Sequence, residues 1–347
     1  MKITRAGVNI AKSVFHVHAV DRQEQPRWQS KLKRGEWLDA LCEQLAPNAQ
    51  VGMEACASAH HWGRELQRRG FHVKLLAAQF VTPYVKSNKN DRVDAEAICE
   101  AMSRPGMRFV SVKTVAQQDI QAMHRIRSEL VGQRTAKASQ IRGLVGEYGI
   151  VAPKGIDQLR GALPGWLEDA ENGLTERFRC LLADLYQDLR YLDERVARLD
   201  ALIDQAVNDD PLAQRLLALR GIGPLTASAL AGALGDGASF RKGRDFAASL
   251  GLTPRQHSTG GRDRLLGISK RGDPYLRKLL VHGARAVLRH AKGRDDALSQ
   301  WLNALSRRKH ANVVTVALAN KTARVAWAIA SSGTVYDPEL VAAARAA

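Results

Sequence analysis

Gly7-Val8-Asn9-Ile10-Ala11-Lys12-Ser13-Val14-Phe15-His16-Val17-His18-Ala19-Val20 is the stretch from which the rest of the N-terminal third can be placed. Val8 and Ile10 stand before Ala11-Lys12-Ser13, and Val14, His16, His18 and Val20 follow it at every second position. A period of two sends alternate side chains to opposite faces of a strand, so the stretch predicts a hairpin. Working outward, a third strand is expected over 27–32. A helix over 36–45 follows, with Trp37, Leu38, Leu41 and Leu45 at helical spacing. Val51-Gly52-Met53-Glu54 reads as a short buried strand ending on an acid. A helix over 60–69 stops at Gly70, a strand covers 72–76, and another helix starts at Asp91. Three strands in a row, then helices alternating with strands, predict a mixed sheet with helices on its faces.

From Val115 to Tyr148 there is no proline, and Ile120, Met123, Ile126, Leu130, Ile141, Leu144 and Val145 recur at spacings of three and four, which predicts a long helix. Pro153, Gly155, Pro164 and Gly165 mark a connecting loop. A second long helix is expected over 175–207, carrying Leu181, Leu185, Leu189, Leu192, Val196, Leu199 and Ile203 on one side. The pair reads as an antiparallel coiled-coil arm or as part of an ordinary helical bundle. Asn208-Asp209-Asp210-Pro211 breaks the pattern and is taken as a boundary.

The chain has 347 residues, 45% hydrophobic and 25% charged, the balance of a folded globular protein with two or three units. No uninterrupted apolar run reaches the ~18–20 residues that span a bilayer, and the N-terminus lacks a signal-peptide core; a cytoplasmic bacterial protein with no membrane partner is expected. Cys42, Cys56, Cys99 and Cys180 are scattered and are expected to be reduced thiols in the core. The pairs His16/His18 and His60/His61 lack a third ligand at a suitable spacing, which favours structural roles over metal binding. The net charge of +17 calls for a polyanionic partner. It is distributed as +7 over 1–115, −4 over 116–210 and +14 over 211–347, so the C-terminal part is the chief candidate for nucleic acid.

Glu54 at a strand end, with Asp91 and Asp94 one turn apart on a helix, supplies hard oxygen ligands of the type that hold Mg²⁺. On spacing alone, Asp-x-x-Asp on a helix is usually a solvated face. Lys89-Asn90-Asp91-Arg92-Val93-Asp94-Ala95, with Gly52-Met53-Glu54-Ala55 and Gly7-Val8-Asn9-Ile10-Ala11-Lys12, resembles the motifs of bacterial insertion-sequence DEDD transposases, a family that uses a bridge RNA. The resemblance extends over essentially the whole chain. It implies a RuvC-like, RNase H-type mixed-sheet domain, placed at 1–114, and a second, transposase domain, placed at 211–347; with the helical coiled-coil arm read from periodicity at 115–210, the expected fold is α/β plus all-α. The catalytic and metal-binding quartet would fall on Asn9, Glu54, Asp91 and Asp94. Position 9 departs from the pattern, because asparagine offers a neutral carbonyl where the family has a carboxylate. At an effective dielectric near 20, loss of a unit charge ~4 Å from a cation forfeits about 4 kcal/mol per cation charge before screening. Impaired metal binding and slow cutting are therefore expected, through an engineered or a natural loss of the carboxylate.

Leu219-Arg220-Gly221-Ile222-Gly223-Pro224 resembles a helix-hairpin-helix turn, in which Arg220, Gly221 and Gly223 would meet a phosphate; a glycine turn between packed helices is the alternative. Leu250-Gly251-Leu252-Thr253-Pro254-Arg255-Gln256-His257-Ser258-Thr259-Gly260-Gly261 precedes a basic run with Arg262, Arg264, Lys270, Arg271, Arg277 and Lys278. On composition it reads as a loop. In the resembled family this segment carries a nucleophilic serine, which places the role on Ser258, with Thr259 and Ser269 as weaker candidates. Arg255 and the basic run are the expected nucleic-acid contacts, and arginines beside the hydroxyl would neutralise a phosphate. Trp301 and Trp327 are expected in the core.

The resemblance thus implies an RNA-guided DNA transposase or recombinase. The acidic domain of one copy and Ser258 of another would form a covalent phosphoserine intermediate, within a homodimer that assembles to a homotetramer. DNA of the element ends and target, and the bridge RNA, are the implied partners. The rival readings are a RuvC-like junction resolvase, which needs no Ser258, and an inactive nucleic-acid-binding protein.

Overall fold

A computed structural model describes residues 2–86 and 90–337. Lys89, which opens the Lys-Asn-Asp motif, lies outside the described residues. Two compact units result, one up to Ala116 and one from Gln117.

The first unit holds β1 (Ile3–Asn9), β2 (Val14–Val20), β3 (Pro26–Lys33), α1 (Trp37–Gln44), β4 (Leu45–Glu54), α2 (Ala59–Arg68), β5 (His72–Leu76), the short α3 (Ala78–Val81), α4 (Asp91–Met102) and β6 (Phe109–Val110). The mixed sheet has the order β3-β2-β1-β4-β5-β6. β1, β4 and β5 run parallel, and β2, β3 and β6 are antiparallel to their neighbours. One buried cluster joins Val8, Phe15, Val17, Val51 and Met53 of the sheet to Trp37, Leu41, Trp62 and Leu66 of α1 and α2. The strand expected at 51–54 begins six residues earlier. A register shift between Ile3 and Arg5 admits the extra length of β4.

All but the first two residues of α5 (Val115–Gly146) belong to the second unit, followed by α6 (Ile156–Glu168) and α7 (Glu176–Asp209). The loop expected between the long helices therefore contains a helix. Leu159 and Leu163 of α6 are fully buried against Ile141, Val145, Phe178 and Leu182, and that apolar contact outweighs the cost of Pro164 inside the helix. α5 and α7 run antiparallel: Arg127 pairs with Asp200, Arg134 with Asp193 at 3.0 Å, and Lys137 with Asp188 at 2.9 Å.

The remaining elements are α8 (Pro211–Leu216), α9 (Pro224–Leu234), α10 (Gly243–Ser249), β7 (Pro254–Gln256), β8 (Leu265–Ile268), α11 (Pro274–Arg289), α12 (Ala297–Ser306) and α13 (Ala311–Ser332). Val207 of α7 shares their core, so the base of the long-helix pair packs with this bundle. Among the described residues, α13 is the one helix long and apolar enough to cross a membrane, although Lys321 and Arg324 interrupt it. Its Val314, Leu318, Ala323 and Ile329 are buried in the bundle core. Trp327 stays partly buried there and donates to the carbonyls of Gly237 and Phe240. All four cysteines are free thiols, as expected, but of the four only Cys99 is buried, whereas Cys42, Cys56 and Cys180 are exposed.

Candidate functional site

The sheet topology accounts for the acidic edge. Parallel pairing of Val8 with Met53 puts Asn9 and Glu54 side by side at the C-terminal ends of neighbouring strands. Such strand ends collect functional groups in sheets covered by helices. α4 then presents Asp91 and Asp94 in its first turn, capped by Asn90, whose side chain accepts from the Val93 amide at 2.9 Å. Gly7 allows the helix to lie this close, because a Cβ there would overlap the Ala95 carbonyl and the Cys99 amide.

At this edge the Asn9 amide donates to Asp91 Oδ1 at 3.3 Å and lies 3.4 Å from its backbone carbonyl. His16 pairs with Asn9 across β1 and β2, and its Nδ1 is 3.7 Å from Asp91 Oδ2. Spacing alone leaves His16 to a structural role. Its strand register with Asn9 was the signal that places it beside Asp91.

The resembled motifs imply a divalent metal at this edge. The residues present do not fit one. Asn9 turns an N–H donor toward Asp91 where a cation would need an oxygen. Among the described residues, no three His, Cys, Asp or Glu side chains are placed to share an ion.

In the second unit, the segment expected as a loop forms a β-hairpin. β7 and β8 pair antiparallel, the His257 amide donates to the Arg264 carbonyl at 2.9 Å, and Thr259 bridges Arg262. Gly260 and Gly261 close it with φ of +54° and +75°. Positive φ at both central residues suits a two-residue turn that follows the strand twist.

Ser258 sits two residues before the Gly260-Gly261 tip and is exposed. Its Oγ is 2.9 Å from Asp263 Oδ1, and Gln256 Nε2 reaches both Ser258 Oγ, at 2.8 Å, and Asp263 Oδ1, at 3.0 Å. Arg255, Arg262 and Arg264 are exposed on the same hairpin, and no ion pair holds them among the described residues. Lys270 and Arg271 are exposed at its foot. Of the alternative hydroxyls, Ser269 Oγ accepts only the Arg271 amide, at 3.4 Å.

Several expected phosphate contacts are engaged inside the fold. Arg220 pairs with Asp296 at 2.7 Å and reaches the Ser299 hydroxyl at 3.3 Å. Burial alone would raise the Asp296 carboxyl, but the Ser299 amide and hydroxyl, with Arg220 beside them, bring it below its ordinary range. Gly221, with φ +84°, lets α11 approach, since a Cβ would stand 2.8 Å from the Gly283 carbonyl. Packing between helices, the alternative to phosphate binding, accounts for that glycine. Gly223 has open space around it and precedes α9. Arg277 donates to the Leu250 carbonyl at 2.9 Å, and Lys278 lies over the Tyr275 ring.

Two family matches cover most of the chain. Residues 6–150 match a DEDD transposase domain, and residues 213–300 match the Transposase IS116/IS110/IS902 family. A probable family 20 transposase of Pseudomonas aeruginosa is 51% identical over 97% of this chain and all of that protein. The chain belongs to the IS110 family of transposases. Within the family it is also similar to the transposase for insertion sequence element IS1328 of Yersinia enterocolitica, 42% identical over 96% of this chain and 99% of that one. The transposase for IS1111A of Coxiella burnetii is 42% identical, over 95% and 90%. The matched segments of this IS110 transposase include Asn9, Glu54, Asp91 and Asp94 in the first and the Ser258 hairpin in the second.

Proposed function

We propose that this insertion-sequence transposase cuts and rejoins DNA through a covalent serine–phosphate intermediate at Ser258. The observation that carries the reading is the hydroxyl of Ser258 on an exposed hairpin beside Arg255, Arg262 and Arg264. Cations that are not spent on internal ion pairs are free to neutralise a phosphate, which a serine oxygen cannot otherwise approach. The acidic edge is a Mg²⁺ site in versions with aspartate at position 9, and Asn9 leaves this chain impaired. Base sequence is read by pairing with a bridge RNA, while the basic hairpin and the α9 turn with Gly223 hold backbone phosphates. Two copies, and then a tetramer, assemble through the arm of α5 and α7, where Ile126, Leu144, Leu181, Tyr191 and Leu202 are exposed. The protein works on bacterial DNA in the cytoplasm.

The test introduces Ser258→Ala into a chain that also carries Asn9→Asp. A DNA–protein adduct that survives denaturation is expected with Ser258 and lost with alanine. Continued cutting by the alanine variant would favour a metal-dependent junction resolvase, and no cutting by either chain would favour a nucleic-acid-binding protein. RNA that co-purifies with the chain supports guidance.

A further inference from the structure

The hydrogen bonds at Ser258 fix where its proton points. Gln256 faces the Asp263 carboxylate at 3.0 Å, and only its N–H side can do so without repulsion between oxygens. The same nitrogen lies 2.8 Å from Ser258 Oγ, so that oxygen accepts from Gln256 and must spend its single hydrogen elsewhere. Asp263 Oδ1, at 2.9 Å, takes it. Gln256 and Ser258 are two residues apart and share a strand face, and the Gly260-Gly261 turn folds Asp263 back against them.

We infer that Asp263 is the proton acceptor for Ser258, and that Gln256 positions the pair. The inference rests on the proposed role of Ser258. In the step, Ser258 Oγ attacks a DNA phosphorus as its proton passes to Asp263. The Oγ–P bond forms, the P–O bond to one sugar breaks, and the departing sugar oxygen takes a proton from water and leaves as a hydroxyl. Asp263 returns its proton to water, so no oxidant or further reactant is needed. Rejoining runs the same steps backwards. The carboxylate also explains why Ser258 rather than Ser269 is armed, since Ser269 Oγ contacts only a backbone amide.

The test uses the full chain with Asn9→Asp and a supercoiled plasmid carrying the element with its flanking sequence and the RNA transcribed from it. Adduct formation is timed after denaturation. Asp263→Asn keeps the size and a hydrogen-bond acceptor but removes the base, and a slowing of roughly 10²–10⁴-fold is expected. The asparagine variant should recover about tenfold per unit of rising pH, while the parent changes little between about pH 7 and pH 9. Asp263→Glu should restore part of the rate. DNA binding by the asparagine variant should not weaken, which separates proton transfer from damage to the hairpin. If Ser258→Ala still forms the adduct, or if the parent forms none, the reading of Ser258 fails and this one with it. If Ser258→Ala abolishes the adduct but Asp263→Asn matches the parent at every pH, Ser258 stands and Asp263 is overturned.

Discussion

Asn9 donates its side-chain amide to Asp91 Oδ1 across 3.3 Å, joining the end of β1 to the first turn of α4. A neutral donor thus makes the link that two carboxylates could make only through a cation. Asn9→Asp should replace attraction with like-charge repulsion and destabilise the metal-free chain by on the order of 1 kcal/mol, because Asp91 is exposed. Added Mg²⁺ should reverse the loss. Thermal unfolding with and without Mg²⁺ checks this, and a variant whose melting ignores the ion would argue against an acidic metal site.

The unpaired arginines predict a salt effect. Replacing Arg262 and Arg264 together by alanine should reduce the slope of log affinity against log salt by roughly 2 for duplex DNA. Arg220→Ala should leave the slope nearly unchanged, since Arg220 is committed to Asp296. Binding titrations at several salt concentrations decide, and equal slopes for all three proteins would remove the hairpin from the interface.

Gly221 and Gly223 separate folding from binding. Gly221→Ala meets the Gly283 carbonyl and adopts a φ that alanine avoids, so a loss of about 2 kcal/mol or more is expected in denaturant unfolding. Gly223→Ala enters open space and should cost well under half as much. If Gly223→Ala lowers DNA affinity without lowering stability, the turn contacts phosphate. If it lowers neither, the turn is structural alone.

His124 is buried between Tyr275 and Ser228, with ring nitrogens 2.9 and 3.1 Å from their hydroxyls. Burial, with Arg127 adding to it, pushes its pKa down to about 4. The unfolded chain takes up this proton near the ordinary 6.5 and the folded chain only near 4, so stability is lost as pH falls through that window. Up to about 3 kcal/mol is at stake. His124→Gln keeps a donor and an acceptor without titrating, and should flatten this part of the pH dependence. Parallel stability curves for the two proteins would place its origin elsewhere.

The N-terminal unit was legible because its signals are local. Alternation gave the β1–β2 hairpin, and Asn90 before Asp91 marks the start of α4. The grouping of Asn9 with Glu54 rested on the motif resemblance alone, and the parallel pairing of β1 with β4 that sets them side by side has no local signal. Three features were hidden. Pro164 and Gly165 disguised α6, whose stability comes from tertiary burial of Leu159 and Leu163. β7 is exposed throughout, so its residues show no apolar alternation. The partners of Ser258 and Arg220 are set by a turn and by an ion pair spanning 76 residues, and no spacing rule reaches either.

The three cross-helix pairs of α5 and α7 also act as a gauge of permissible length. Deleting one residue between Arg127 and Arg134 would rotate the outer helix by about 100°, turning Arg134 and Lys137 away from Asp193 and Asp188. A deletion beyond Lys137 would leave all three pairs in place and shift only the far end. Relatives should therefore vary in length toward α6 while the inner span keeps a fixed count, so that the far ends of the two long helices can diverge without disturbing their paired base.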